Sequence, residues 1–263
     1  MADHKRIGTL SLIWSGFKLN FLQSAWNFER LQNAGFLFSI NNMLSKIYAG
    51  NEAGRLAAIK RHMTFFNTHI FFSSAALGVM TRLEEDLPET DLKHKETEID
   101  NTKMGIMGPL AAIGDALFWS GIRPLALLFG AGIVWMTGFS ADGWVQASVV
   151  SLVIYNFPRV MIKYYLLLKS YYKYKELFVL IQKVKFQDIM KSLKAAGMGI
   201  LGIFTAVYLT RPEMRVTLKG GPLDMVIVVA AFFAVTWALR TKKSVSNIFL
   251  GVIVVSILIS YIT

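Results

Sequence analysis

Residues 104–137 read MGIMGPLAAIGDALFWSGIRPLALLFGAGIVWMT and contain two charged side chains, Asp115 and Arg123. An apolar run of this length predicts a membrane-embedded segment, because roughly 20 apolar residues span the hydrocarbon core of a bilayer. Pro109 and Pro124 lack an amide donor and fix φ, so we expect the helix to be interrupted at both prolines. The freed backbone groups must be buried in protein or line a wet cavity. Proline-interrupted apolar segments that carry charges are typical of a transporter's binding region.

The composition of the whole chain extends this interpretation. Hydrophobic side chains make up 54% of the 263 residues, and the mean hydropathy is +0.46. We therefore predict an all-α, multi-pass membrane protein with broken or re-entrant helices, forming one membrane domain over residues 1–263. An inverted pseudo-repeat within it is left open. The net charge is +11, and the basic residues lie between apolar segments. This distribution favours positive-inside loops of a protein in a lipid bilayer and argues against nucleic-acid binding.

The part of the chain before residues 104–137 has shorter and less apolar segments. Residues 8–81 are expected to form an N-terminal helical part, in which neither half of 8–48 is long enough to span a bilayer. We predict short buried, re-entrant or interfacial elements there, followed by a candidate span over 64–81. Residues 82–103 are strongly hydrophilic and predict a solvated loop or hairpin, because no spacing among their acids supports a metal site.

The C-terminal part, residues 144–262, is predicted to hold four further spans. They cover residues 144–162, 195–210, 223–239 and 245–262. Residues 163–194 carry eight lysines and two acids, which predicts an element at the cytoplasmic interface. The basic cluster 240–243 lies two crossings later and therefore on the same side. Residues 211–222 and the C-terminus are then expected to face outward.

Three polar groups interrupt the apolar background, and the first is the run QSAWNFER that begins at Gln23. In a helix, Gln23, Asn27 and Arg30 would share one face, with Trp26 beside it and Glu29 between the faces. Amides and carboxylates at this density suit hydrogen bonding to several hydroxyls, and an indole can stack on the C–H face of a pyranose. The alternative is that the amides bond across buried helices.

The second polar group is Asn67 and His69, in the run FFNTH. His62 lies two turns earlier, but two histidines at this spacing without a carboxylate are a poor metal signal. A neutral imidazole is a good nucleophile, so phosphoryl acceptance by His69 is one interpretation. A buried histidine hydrogen-bonded to backbone or substrate is the interpretation that we favour.

The third polar group belongs to the central stretch itself. Gly108 and Pro109 are expected to break the helix, and the small residues up to Gly114 provide a face for close packing. Asp115 can bind a sugar hydroxyl, pair with Arg123, or cap a half-helix. In each case the carboxylate is expected to face protein or water and not lipid.

Motifs of soluble catalysis are missing from the sequence. It has no GxxxxGKS/T phosphate loop, no GxGxxG, no GxSxG, no HExxH and no cysteine. We therefore expect no catalytic residue, no metal and no cofactor, and favour a permease or channel part. A stand-alone secondary transporter or channel, a membrane-embedded enzyme and a structural assembly protein remain the alternatives.

Three runs of sequence together point to a known family. They are QSAWNFERLQNAGFLFS from Gln23, RHMTFFNTH ending at His69, and MGPLAAIGDALFWSGIRP ending at Pro124. Their residues and order resemble the IID membrane component of the mannose/fructose/sorbose-family sugar phosphotransferase system. The resemblance covers residues 21–124, and the hydropathy of the remainder is compatible with it.

This resemblance implies a mechanism and a set of partners. A IID chain of this kind pairs with a IIC membrane chain in the bacterial inner membrane, in complexes expected to be trimers of IIC–IID pairs. The pair conducts a hexose, with mannose or glucose as the first expectation. Soluble IIA and IIB proteins relay phosphate from phosphoenolpyruvate, and the sugar is phosphorylated as it reaches the cytoplasm. No phosphorylated residue is then expected on the IID chain.

The resemblance also assigns roles to the polar groups. The substrate-binding residues are expected to be Gln23, Asn27, Glu29, Asn67, His69 and Asp115. Structural roles are expected for Trp26, Gly108, Pro109, Gly114, Arg123 and Pro124.

Overall fold

The computed structural model describes residues 6–87, 91–183 and 186–210, together with positions 230, 233, 234, 237 and 250–254. Within these residues the backbone is helical apart from turns and isolated β-bridges, which confirms the predicted all-α class. The chain forms two compact units, Met1–Ile200 and Leu201–Thr263. A single membrane domain and an inverted pseudo-repeat stay predictions. The predicted spans over 223–239 and 245–262 and the loops 211–222 and 240–243 lie largely outside the described residues.

The helices of the described part follow one another with short connections. In chain order they are α1 (Thr9–Lys18), α2 (Asn33–Ile47), α3 (Glu52–His62), α4 (Ser73–Asp86), α5 (Leu92–Leu117), α6 (Arg123–Met136), α7 (Ala141–Tyr172), α8 (Tyr174–Lys183) and α9 (Phe186–Thr210). Side chains fix three of the helix starts by accepting a hydrogen bond from an orphan backbone amide. These caps are Asn51 for α3, Asp91 for α5 and Ser140 for α7.

Among the described residues, two helical stretches are long and apolar enough to cross a membrane, Leu92–Met136 and Ala141–Tyr172. The second contains the predicted span 144–162 and continues into the lysine-rich segment. The predicted span 195–210 falls within α9. The N-terminal part holds short helices, as expected, with ten residues in α1 and 15 in α2.

The prediction of a helix break at Pro109 is wrong. Helix α5 continues through this proline, which lies on an exposed face where the ring displaces a single hydrogen bond, to the carbonyl of Gly105. The interruption comes later, as a π-helical turn over Phe118–Ile122. Pro124 then occupies the first turn of α6, where a missing amide donor costs nothing. The central stretch therefore changes helical register and does not end.

Two further expectations are corrected by burial. Residues 64–81 do not form one membrane span, because a loop precedes α4 and residues 73–81 are all enclosed by protein. Residues 82–103 do form a helical hairpin, from the end of α4 and the start of α5, but it is not fully solvated. The side chains of Glu84, Lys95 and Lys103 are buried in it.

Helix α4 lies at the centre of the first unit and packs most closely on α7. A Cβ at Gly78 would collide with the Ser170 hydroxyl and the Leu167 carbonyl of α7, so glycine is needed for this close approach. Helices α2 and α5 cover the other sides of α4. This arrangement places the loop before α4 against the middle of α5.

Candidate functional site

The first polar run forms a tight turn and not a helix. The amide of Asn27 donates to the Leu31 carbonyl at 3.1 Å, and the amide of Leu31 donates back at 3.0 Å. Asn27 also accepts from the Arg30 amide at 2.8 Å and donates to the Asn33 carboxamide at 2.9 Å. These local bonds offer the backbone an alternative to helix. Gln23 therefore does not share a helix face with Asn27, and it is exposed.

The charged end of this turn is open to solvent. Glu29, 77% exposed in its side chain, pairs with Arg30 at 3.0 Å, and Arg30 also donates to the Met63 carbonyl at 3.3 Å. Trp26 is half exposed and meets the edge of Phe28 at 5.1 Å. An exposed ion pair of this kind contributes little to stability. These side chains are available to a ligand or a partner chain.

The second polar run lies directly beside the first. The amide of Gln32 donates to the Phe66 carbonyl at 2.8 Å, and the amide of Phe66 donates to the Arg30 carbonyl at 3.3 Å. The Asn33 carboxamide adds a bond to the Met63 carbonyl at 2.8 Å. Two of the three runs that carry the family resemblance are thus one paired structure in the fold.

Helix α5 anchors this paired structure at Met107. The Thr68 hydroxyl donates to the Met107 carbonyl at 3.1 Å, and the Asn67 amide approaches the Met107 sulfur at 3.3 Å. The Thr68 amide in turn donates to the Gln32 side chain at 2.9 Å. Asn67 keeps its own side chain exposed.

His69 is enclosed by aromatic rings. Its imidazole stacks on Phe118 at 5.2 Å and meets the edges of Phe71 at 5.0 Å and Trp119 at 6.0 Å. It rests on Gly114, where any Cβ would collide with the ring. Nδ1 accepts from the Phe71 amide, so Nε2 carries the proton, and this buried N–H has no hydrogen-bond partner among the described residues.

Asp115 lies next to Gly114 on α5, and its exposed carboxylate interacts electrostatically with His69. Of the roles considered for Asp115, the ion pair with Arg123 is not formed in the described structure. Arg123 instead places its guanidinium over the ring of Trp119, 5.1 Å from the centroid. Gly108 and Pro109 are exposed on α5, with open space around Gly108.

The structure therefore gathers part of the predicted site. Asn67, His69 and Asp115 are brought to α5, and Asn27 lies in the adjoining turn. Glu29 lies on the same turn as Asn27, and Gln23 precedes that turn; in the described structure neither side chain is hydrogen-bonded to the second run. A sugar-binding role for these six residues stays a prediction.

A buried carboxylate that the sequence analysis missed supports this region. Glu84 accepts from Arg61 and from His62 at 2.9 Å each, and from the Tyr48 hydroxyl at 2.6 Å, with the Lys95 ammonium at 3.6 Å. Burial alone would raise the pKa of the Glu84 carboxyl, but hydrogen bonds from His62 and Arg61, together with the Arg61 charge, hold it well below its usual range. Burial lowers the pKa of His62, so the imidazole is held neutral.

This cluster is tied to the second polar run. The buried Lys103 ammonium donates to the Thr64 hydroxyl at 2.6 Å and to the Arg61 carbonyl at 3.3 Å. A sequence signal for it exists, because Lys95 and Lys103 occupy positions of the helical stripe that Ile99 and Ile106 continue. Lysines at apolar positions indicate buried, partnered charges.

Comparison with known proteins gives one family. Residues 9–263 match the family described as PTS system mannose/fructose/sorbose family IID component. The mannose-specific EIID component of Escherichia coli (strain K12) is 29% identical over 255 residues, covering 90% of this chain and 88% of that protein. The fructose permease IID component of Bacillus subtilis (strain 168) is 26% identical, and the match covers 98% of this chain and 97% of that protein.

Two solved structures are similar over 96% of both chains. One, described as a membrane protein, has a TM-score of 0.69 at 26% identity. The other is a chain of the mannose transporter ManYZ in complex with microcin E492, with a TM-score of 0.56 at 28% identity. The agreement of sequence and fold confirms the resemblance carried by the three runs. This chain is a membrane protein that belongs to the mannose/fructose/sorbose family of IID components of the sugar phosphotransferase system.

Proposed function

We propose that this chain forms, with a IIC membrane chain, the translocation pathway for a hexose that the IIB partner phosphorylates on entry. Membership of the IID family supports the proposal, as does the likeness to a chain of the mannose transporter ManYZ. Mannose or glucose is the sugar we favour, although relatives are named for fructose and sorbose as well. The complex is a trimer of IIC–IID pairs in the bacterial inner membrane, and this chain crosses it several times.

The observation that carries the sugar site is the buried, unpartnered N–H of His69. Leaving a buried donor unpaired costs about 1–3 kcal/mol, which a hydroxyl oxygen placed against Nε2 offsets. The neighbouring Asp115 carboxylate and Asn67 carboxamide accept hydroxyl protons, and Trp119 offers a ring to the C–H face of a pyranose. Donor, acceptors and ring together match the surface of a hexose.

Asn27, Gln23 and Glu29 extend this site along the first run. The hydrogen bonds between the two runs keep them next to the loop that holds His69. Phosphate is relayed by IIA and IIB and is not accepted by this chain. In keeping with this, His69 keeps its N–H among aromatic rings, and His62 is bonded to Glu84. The lysine-rich residues 163–194 face the cytoplasm, where those soluble proteins bind.

The test is sugar uptake and phosphorylation by cells that express the partner proteins with variants of this chain. His69→Phe keeps an aromatic ring to stack on Phe118 but removes the N–H. Asn27→Ala and Glu29→Ala remove polar side-chain groups from the first run. We expect each to raise the KM for the sugar about tenfold, the effect of one lost hydrogen bond.

The matched control for these variants is Asn156→Ala, because in the described part of the chain the Asn156 carboxamide bonds its own helix, at the Leu152 carbonyl. This variant is expected to keep the wild-type KM. All variants are compared at equal amounts of assembled complex. A wild-type KM in His69→Phe, Asn27→Ala and Glu29→Ala alike would remove these residues from the sugar site.

A further inference from the structure

Helix α7 carries two cations that the sugar site does not use. Arg159 and Lys163 are one turn apart and share a face of the membrane-spanning helix. Lys163 is only 3% exposed, and its ammonium donates to the Asn20 carboxamide at 2.9 Å. Arg159 is partly exposed, with its guanidinium over the Phe71 ring, 5.2 Å from the centroid.

Neither cation is neutralised within the described part of the chain. The acids of the neighbouring helices are engaged elsewhere, since Glu84 holds the α3 cluster and Glu85 bonds Tyr171, two turns beyond Lys163. Asp115 is exposed on α5 and forms no ion pair with either cation among the described residues. Two adjacent positive charges on a largely apolar helix repel each other and are costly to bury. Such charges are typical of a site that gains its counter-ion from a ligand.

The donors of this pair suit a phosphate group. The Lys163 ammonium has two N–H groups beyond the one given to Asn20, and the Arg159 guanidinium has a planar fork of donors that no described acceptor occupies. Arg159 is the accessible member and Lys163 the buried one, so a ligand would meet the guanidinium first. Asn20 holds the ammonium in place from the end of α1.

The position of the pair is informative as well. Phe71, which carries the Arg159 guanidinium on its face, meets His69 at 5.0 Å. The pair is thus one aromatic ring away from the proposed sugar site. It also lies where the apolar part of α7 gives way to the lysine-rich segment. Both a phosphorylated sugar and the headgroup of a phospholipid bring phosphate to such a place.

We propose that Arg159 and Lys163 form a phosphate-binding site on α7. The site goes beyond the proposed sugar site, shares no residue with it, and takes either the phosphate monoester of a hexose phosphate or the phosphate diester of an anionic phospholipid.

The experiment measures binding to the full-length chain, purified with its membrane partner and placed in phosphatidylcholine nanodiscs. One arm titrates radiolabelled hexose 6-phosphate, and the other follows retention of phosphatidylglycerol by native mass spectrometry. The variants are Lys163→Met and Arg159→Gln, which keep much of the side-chain length. Lys169→Met is the matched control, because Lys169 lies on the same helix and, among the described residues, its ammonium bonds the Tyr165 hydroxyl one turn away.

We expect both variants to lower the affinity for one of the two ligands about tenfold, the effect of losing one charge-assisted hydrogen bond. Lys169→Met is expected to bind both ligands as the wild type does. Weaker hexose phosphate binding identifies the sugar product as the source, and weaker lipid retention identifies the bilayer. If neither ligand is weakened in Arg159→Gln and Lys163→Met relative to the control, the site does not exist. Failure of the sugar site would be recognised separately, because the sugar site is tested by the KM for sugar uptake in His69→Phe and not by either binding arm.

Discussion

At the scale of single residues, the Glu84 carboxylate holds together three helices and the end of a fourth. Its partners come from α3, from α5 and from Tyr48 after α2, while Glu84 itself is on α4. A buried charge is tolerated when its partners satisfy it, and removing one partner leaves the others uncompensated. The cluster is therefore more sensitive to a single substitution than the exposed charges of the same hairpin.

We expect Glu84→Gln to lower the free energy of unfolding by about 3–5 kcal/mol, because Arg61 and Lys95 would keep their charges in a buried place without a carboxylate. Thermal unfolding in detergent measures the effect. Glu98→Gln, an exposed position on α5, is the control and is expected to leave the midpoint unchanged. Equal midpoints for the two variants would show that Glu84 does not carry the cluster.

The same residues predict how stability depends on pH. The pKa of Glu84 is lowered in the fold, so its contribution is complete above the ordinary carboxyl pKa, near pH 4.5, and is lost as the pH falls through the folded value. The pKa of His62 is lowered too, so below about pH 6.5 protons favour the unfolded chain. Lowering the pH therefore destabilises the fold through both groups.

We therefore expect the thermal midpoint to decrease as the pH is lowered from 7.5 to 4.5, and to decrease further at pH values below 4.5. His62→Gln removes the first part of this dependence and should flatten the curve between about pH 6.5 and pH 5. Midpoints measured in the same detergent at each pH provide the test. A wild-type midpoint that rises on acidification would contradict the assigned directions.

At the scale of elements, α5 brings the site together because Gly114 has no side chain, which lets the loop that holds His69 pack against the helix. Gly114 is in contact with the His69 ring, and Met107 receives the loop two turns earlier on the same face of the helix. The helix also supplies Asp115. Helix α5 thus carries Met107, which anchors the loop, Gly114, which contacts the His69 ring, and the acceptor Asp115 of the proposed sugar site.

Gly114→Ala should displace the His69 ring and reduce sugar uptake at least about tenfold, since a methyl group cannot fit between helix and imidazole. Gly105→Ala on the same helix is the control, because nothing lies near its Cβ position. Alanine is also the better helix former at that position. Uptake of radiolabelled mannose at equal expression compares them, and equal uptake by the two variants would exclude the packing role.

The sequence predicted helices well where the apolar pattern was long, and less well where local bonds compete with it. Asn27 diverts its run into a turn through bonds to Arg30 and Asn33, which no periodicity reveals. Pro109 was expected to end a helix, but neighbouring turns on an exposed face compensate for one missing bond. The buried lysines were assigned to solvent because their partners are not adjacent in sequence: Lys95 lies beside Glu84, and Lys103 bonds Thr64 and the Arg61 carbonyl.

At the scale of the whole molecule, the three runs that carried the resemblance are also the three segments that meet in the fold. The first two pair with each other, and the third anchors them at Met107 and Gly114. Sequence order alone indicated the family, whereas the orphan N–H of His69 and the Glu84 cluster required side-chain positions. The function of the assembly then depends on chains that pair with this one.

The most direct test of the account is sugar translocation by proteoliposomes that contain this chain, the IIC chain, both chains, or neither. The soluble relay proteins and phosphoenolpyruvate are enclosed inside, mannose is added outside, and accumulation of phosphorylated mannose inside is measured. The account predicts phosphorylated sugar only when both membrane chains and phosphoenolpyruvate are present. Transport of unmodified sugar by this chain alone, with no need for phosphoenolpyruvate, would contradict it and identify a stand-alone transporter.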